Sequence, residues 1–197
     1  MDASYGILGG ERTAVVEMAA ASGIQLIDQK DSNPLITTTF ETGQLIAAAA
    51  RRDIDKIIVT VGGLATNDAG VVMAQALSVK MFTASGDLLP DGLGGGELAE
   101  LDDIKMLVAC DVVNPLTGKL GASAVYGRQK DASSADFATL ETNLRSVAAL
   151  IRRDLEVSVA KLERGGAGGG FAAGLVAFAS AKLVPGIELV LDFSRFL

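Results

Sequence analysis

The sequence predicts an α/β fold, with helices layered on a mainly parallel or mixed sheet, in a single domain over residues 1–197. Three observations predict it. Short apolar, β-branched runs alternate along the chain with helical patterns instead of segregating into halves. The clearest run, Lys56 to Val61, is short, β-branched and closed by Gly62-Gly63, as a buried parallel strand is. Apolar residues make up 49% of the 197, enough for a sizeable core.

The elements follow in order. Thr13 to Met18 (TAVVEM) reads as the first strand. Thr42 to Arg52 is an alanine-rich helix that leads through Asp53-Ile54-Asp55 into the strand Lys56–Val61. Asn67 to Leu77 carries apolar residues at Val71, Val72, Ala74 and Leu77 behind an Asn-Asp start suited to capping, and is predicted as a helix. Met106 to Cys110 is the third strand and runs into Asp111. Ser134 to Leu155 is the longest helix. Phe137, Leu140, Leu144, Val147, Ala148 and Ile151 form its packing stripe, with Arg145, Arg152 and Arg153 off it. Phe171 to Val184 is nearly apolar but interrupted by Gly174 and Lys182, and falls short of the about 20 residues that span a bilayer. Ile187 to Leu191 is expected to be a fourth strand.

Charge and composition exclude several functions. With 24 acidic against 17 basic side chains and a net charge of −7, the chain has no footprint for a phosphodiester backbone, so no nucleic-acid partner is expected. A local cationic spot remains compatible with a small anion. Histidine is absent, which removes every Ser-His and Cys-His nucleophile and leaves acid-base work to Asp, Glu, Lys or Tyr. The single cysteine, Cys110, flanked by Leu107-Val108-Ala109 and Val112-Val113, reads as an ordinary buried thiol in a reducing compartment. The start Met1-Asp2-Ala3-Ser4 has no basic region and no apolar stretch behind it, so a cytoplasmic protein with no membrane partner is expected.

Glycines are bunched at Gly62-Gly63, Gly92 to Gly96 and Gly165 to Gly170, where bare backbone N–H groups can meet an anion or the chain can simply turn. The strict P-loop is absent, and Thr117-Gly118-Lys119-Leu120 only echoes its end. A relaxed G-x-G-x-x-A occurs at Gly94–Ala99 and at Gly168–Ala173, neither behind a strong strand, so a dinucleotide site is not indicated. Three segments carry more. In Val61-Gly62-Gly63-Leu64-Ala65-Thr66-Asn67-Asp68-Ala69-Gly70 a buried strand ends, two glycines turn, and a Thr-Asn-Asp trio opens a helix. Ligands of open α/β sheets bind at such strand ends, where a helix N-terminus offers about half a positive charge. The same residues also read as a plain turn and cap. Asp111-Val112-Val113-Asn114-Pro115 places a carboxylate able to ligate magnesium or take a hydroxyl proton beside an orienting amide, or forms an Asx turn before proline. Gly121 to Lys130 concentrates hydroxyl, amide and cationic donors, among them Ser123, Arg128 and Lys130, which hold an anion or remain solvated.

Taken together the segments resemble the bacterial glycerate kinases of type I. The match is carried by Glu17-Met18-Ala19-Ala20-Ala21-Ser22-Gly23, Asn33-Pro34-Leu35 with Thr37-Thr38-Thr39, and Gly62-Gly63 with Ala65-Thr66-Asn67-Asp68. It continues through Asp111 with Asn114-Pro115-Leu116, Gly121-Ala122 with Gly127 and Gln129-Lys130, and Gly186-Ile187-Glu188-Leu189-Val190. The resemblance implies phosphoryl transfer from ATP, with Mg²⁺, to a hydroxyl of D-glycerate, most often the 2-hydroxyl. It implies Asp68 and Asp111 as catalytic or metal-side carboxylates. Gly62, Gly63, Thr66, Asn67, Asn114, Ser123 and Lys130 are implied as substrate- or nucleotide-binding residues.

The family's members are longer. In the family a segment before this one bears an Asp-Gly-Gly-Glu-Gly type motif and one after it a Gly-Glu-Gly-Arg type motif, so the resemblance implies that this chain is the inserted central domain, a truncated form. Loss of a neighbouring domain predicts self-association as a homo-oligomer through the bared interface. Leu64 stands where the family has serine, Ala69 where it has glycine, Arg128 where it has proline and Asp131 where it has glycine. The alternative is a catalytically silent α/β domain that binds a small anion or a partner supplying the absent segments.

Overall fold

A computed structural model describes residues 3–9, 11–28, 33–63, 65–90, 101–126 and 134–194. Its centre is a five-stranded sheet in the order β1-β2-β3-β4-β5, with β1 (Gly6–Ile7), β2 (Thr13–Glu17), β3 (Lys56–Thr60), β4 (Lys105–Ala109) and β5 (Lys182–Val184). β1 is an antiparallel edge, and β2 to β5 are parallel, aligned at Ala14, Ile57 and Met106 and again at Val16, Val59 and Val108. Because side chains alternate across a strand, those six residues share one face, and all are buried.

That face is covered by α2 (Phe40–Ala50), α3 (Val71–Ala76) and α6 (Phe171–Ala179), through Ile46, Met73, Phe171 and Leu175. Small residues let these helices sit close: a side chain at Gly43 of α2 would strike the Met73 carbonyl of α3 at 2.7 Å. The remaining helices are α1 (Ala19–Ser22), α4 (Ala122–Tyr126), α5 (Ser134–Leu155) and α7 (Gly186–Ser194). α5 buries Leu140, Leu144, Ala148 and Ile151 as the stripe predicts, and three of these join Ala69, Leu116, Ala122 and Ala173 in a second cluster. On the opposite face of the sheet, Val15 and Ile58 line a groove whose other side is α7.

Three strands fall where the sequence predicts them, and Cys110 is buried, which pushes its thiol pKa up. Two expectations are corrected. Ile187–Leu191 is not a strand but the middle of α7, and the strand is β5, a few residues earlier. Pro185 separates them: with its fixed φ and missing N–H it ends a ladder readily and suits the first turn of a helix. The helix expected from Asn67 starts only at Val71, because Ala69 and Gly70 take left-handed φ of 52° and 70°. Thr66, Asn67 and Asp68 therefore lie in a non-helical loop. The apolar stretch from Phe171 is divided between buried α6 and β5, and no helix among the described residues is long and apolar enough to cross a membrane.

Candidate functional site

The parallel strands deliver their C-terminal ends to one rim of the sheet, where Gly62, Gly63 and Asp111 meet the start of α7. They line the mouth of the groove under α7, about 740 Å³, whose walls are mainly apolar side chains of β2, β3 and α7, with Glu17 and Thr60 among them. Gly63 has φ 63° and its carbonyl accepts the N–H of Ile24 at 2.8 Å. A side chain at Gly62 would meet nothing within 4 Å, so this backbone is open to an approaching ligand. Among the described residues, the amides of Gly62 and Gly63 find no acceptor. Asp111 is exposed, and its Oδ1 accepts the N–H of Gly186 at 2.8 Å, which ties it to the start of α7. Its Oδ2 has no hydrogen-bond partner among the described residues.

Asp68 is placed differently. Its Oδ2 accepts the N–H and the hydroxyl of Thr39 at 3.0 and 2.8 Å, and its Oδ1 accepts the N–H of Gly70 at 3.0 Å. The Thr39 hydroxyl oxygen itself accepts the N–H of Met73 at 2.9 Å, which turns its proton toward the carboxylate. Asp68 thus joins the start of α2 to the start of α3. Burial pushes its carboxyl above the ordinary value, opposed by the hydrogen bonds from Thr39 and Gly70.

Its neighbour Asn67 is 5% exposed and donates from Nδ2 to Ser123 Oγ of α4 at 3.3 Å, while Oδ1 is buried without a partner among the described residues. Thr66 is buried beside them. Asn67 and Asp68 line a second, smaller recess of about 190 Å³, bounded by the Pro34–Thr38 loop and by Leu140, Asn143, Leu144 and Val147 of α5. Asn114 lines neither recess: its amide donates to the Leu120 carbonyl at 3.0 Å and accepts the Tyr126 hydroxyl at 2.6 Å, so both ends are engaged.

The glycine cluster that the sequence left open is a packing device. Gly168, Gly169 and Gly170 all have positive φ. A side chain at Gly174 would lie 2.4 Å from the Ala69 carbonyl, and one at Gly166 would lie 2.3 Å from that of Pro115. The Ala69 N–H also reaches the Gly169 carbonyl at 3.2 Å. Both site loops rest directly on this glycine backbone. Thr39, which the sequence marks only as one of three threonines in the family match and gives no site role, is fully buried. Lys130 lies outside the described residues, as do Leu64, Gly92 to Gly96, Arg128 and Asp131.

A magnesium ion fits one carboxylate better than the other. Both oxygens of Asp68 are held by protein donors, whereas Asp111 lines the groove and its Oδ2 has no such partner among the described residues. Magnesium is commonly held by one or two carboxylates together with substrate phosphates, and one unengaged carboxylate oxygen is what Asp111 offers among the described residues.

A model of the glycerate kinase family matches residues 1–197. A glycerate kinase of Halalkalibacterium halodurans is 44% identical over 100% of this chain and 54% of its own length. A glycerate 2-kinase of Escherichia coli is 44% identical over 96% of this chain and 52% of its own. A crystal structure of a provisionally named glycerate kinase 2 from Salmonella typhimurium LT2 superposes with a TM-score of 0.89 at 44% identity, over 95% of this chain and 53% of that one. The chain spans about half the length of the curated relatives it matches.

Proposed function

The chain belongs to the glycerate kinase family, and from that premise we propose that it carries substrate-facing residues for ATP-dependent phosphorylation of D-glycerate, in the cytoplasm, at the 2-hydroxyl that the Escherichia coli relative's name specifies. The observation that carries this reading is the rim itself: unpaired amides at Gly62 and Gly63 beside a carboxylate oxygen of Asp111 with no hydrogen-bond partner among the described residues. Phosphoryl transfer is mostly positioning and charge neutralisation, and these groups supply both. Magnesium, when bound, neutralises charge on the phosphates. Asp111 would hold it or take the proton of the attacking hydroxyl, the Gly62-Gly63 backbone would meet phosphate oxygens, and Lys130 would pair with an anion.

In the reaction a glycerate hydroxyl oxygen bonds to the γ-phosphorus, the bond to the bridging oxygen breaks, ADP leaves, and the hydroxyl proton passes to a carboxylate. Asp68 acts as a positioning residue, since its oxygens hold the Asn67–Gly70 loop. Asn114 and Ser123 act one step back, on Tyr126 and Asn67. The test is ADP release from Mg-ATP by the full chain with and without D-glycerate. Glycerate-dependent release is expected, and folded protein that releases none would overturn the reading for this chain.

A second reading concerns partners. Ile187 and Val190 of α7 are 59% and 61% exposed, and the groove beneath α7 is apolar, so this face suits self-association. Light scattering at high concentration should show oligomers, and a monodisperse monomer counts against it.

A further inference from the structure

We propose that the small recess beside Asp68 is a subsite for the hydroxyl of the acceptor that is not phosphorylated. It would bind the hydroxymethyl end of a three-carbon hydroxy acid through Asn67, Thr38 and Asn143, with the ligand's carboxylate turned away. The identity of the ligand rests on the kinase reading above.

The argument begins with Asn67. Its side chain is almost wholly buried, yet one atom of its amide has no partner among the described residues. Exchanging the amide's oxygen and nitrogen does not remove the problem, since Ser123 Oγ can satisfy only one end and the other is then left over. An orphaned buried polar atom costs about 1–3 kcal/mol, so a ligand group that completes it gains directly. Asn67 lines the recess, and two further polar side chains at its edge, Thr38 and Asn143, are exposed and make no hydrogen bond among the described residues.

Size and charge then choose the ligand group. About 190 Å³ admits a small fragment and not a nucleotide. Among the described lining residues Asp68, an acid, is the only charged one, and no cation faces it. A carboxylate or phosphate would be repelled there, whereas a hydroxyl both donates and accepts and can satisfy an amide in either orientation. The apolar walls from Leu140, Leu144 and Val147 suit the attached methylene. A site built to bond a hydroxyl discriminates against an analogue that lacks it, because its own polar groups are then left unpaired.

The test is a side-chain amide NMR titration of the full chain with D-glycerate, glycerol and D-lactate, which is glycerate without the 3-hydroxyl. D-glycerate and glycerol should move the Asn67 resonance, with D-lactate binding at least tenfold more weakly than D-glycerate. T38V and N143A, both at exposed positions, should narrow that ratio without unfolding the protein, and N67A should abolish it. Equal binding of D-lactate, an unchanged ratio in the variants, or an Asn67 resonance that no probe moves would overturn the subsite. The two readings fail separately: shifts without ADP release overturn the kinase activity alone, and glycerate-dependent ADP release with no preference over D-lactate overturns the subsite alone.

Discussion

Asp68 and Asp111 look equivalent in the sequence, each a carboxylate in the segment that follows a strand, yet the structure gives them opposite surroundings. Asp68 accepts from two groups of Thr39 and from Gly70, and so joins the starts of two helices. Asp111 is exposed and among the described residues accepts only from Gly186, which leaves one oxygen for a ligand or ion. The difference teaches that a carboxylate's chemistry follows from which of its lone pairs the fold has already occupied.

The sharpest way to break this comparison is to change both acids to amides. D68N keeps the shape but turns an NH₂ toward N–H or O–H donors, so it should lower the unfolding free energy by about 2–3 kcal/mol in urea titration, against about 0.5 kcal/mol or less for D111N. In the kinase assay the ranking should separate: D111N loses turnover at unchanged stability. Equal stability losses would show that Asp68 is not the clamp. The pH dependence gives a second handle. A carboxyl whose pKa is raised on folding binds its proton more readily in the native state, so its contribution to stability grows as pH falls from the raised value toward the ordinary one. The stability advantage of the native sequence over D68N should therefore widen on mild acidification, and narrowing would mean that the hydrogen bonds outweigh burial.

Glycines at the two regions should differ in the same direction. G174A drives a methyl into the Ala69 carbonyl beneath the Asp68 loop and should cost about 1–3 kcal/mol. G62A faces open space at the rim and should change stability by no more than about 0.5 kcal/mol, while it obstructs ligand approach and lowers activity. Equal losses would erase the distinction between a packed loop and an open rim.

What was legible in the sequence divides along similar lines. β2, β3 and β4 are short apolar runs with clear ends, and the apolar stripe of α5 repeats over about four turns, so local pattern suffices for them. α7 was misread because a five-residue apolar run has no period of its own, and only Pro185 ahead of it pointed to a helix. The candidate residues were legible as types in a familiar order, but not their grouping. Gly62 and Gly63 go with Asp111, while Asn67 and Asp68 go with Thr38 and α5, and that partition depends on contacts between residues far apart in the chain. Thr39 and the glycine bed under Ala69 were invisible for the same reason: their roles exist only once α2, α3 and α6 have packed.

The smallest expected effect tests the strain in the Asp68 loop. Ala69 is fully buried with φ 52°, a left-handed conformation that costs an L-residue about 1–2 kcal/mol. A69G removes that strain but loses a buried methyl, about 0.8 kcal/mol, and loosens the unfolded chain. These contributions oppose one another, so the net change should stay within about 1 kcal/mol. Ala74 is equally buried but sits within α3, where the same substitution only loses: a methyl from the core and about 1 kcal/mol of helix propensity. Urea titration of A69G beside A74G isolates the backbone contribution, because the deleted atoms are the same. A loss at position 69 as large as at 74 would mean that the left-handed turn beneath Asp68 carries no strain, and that glycine would bring the loop no advantage there.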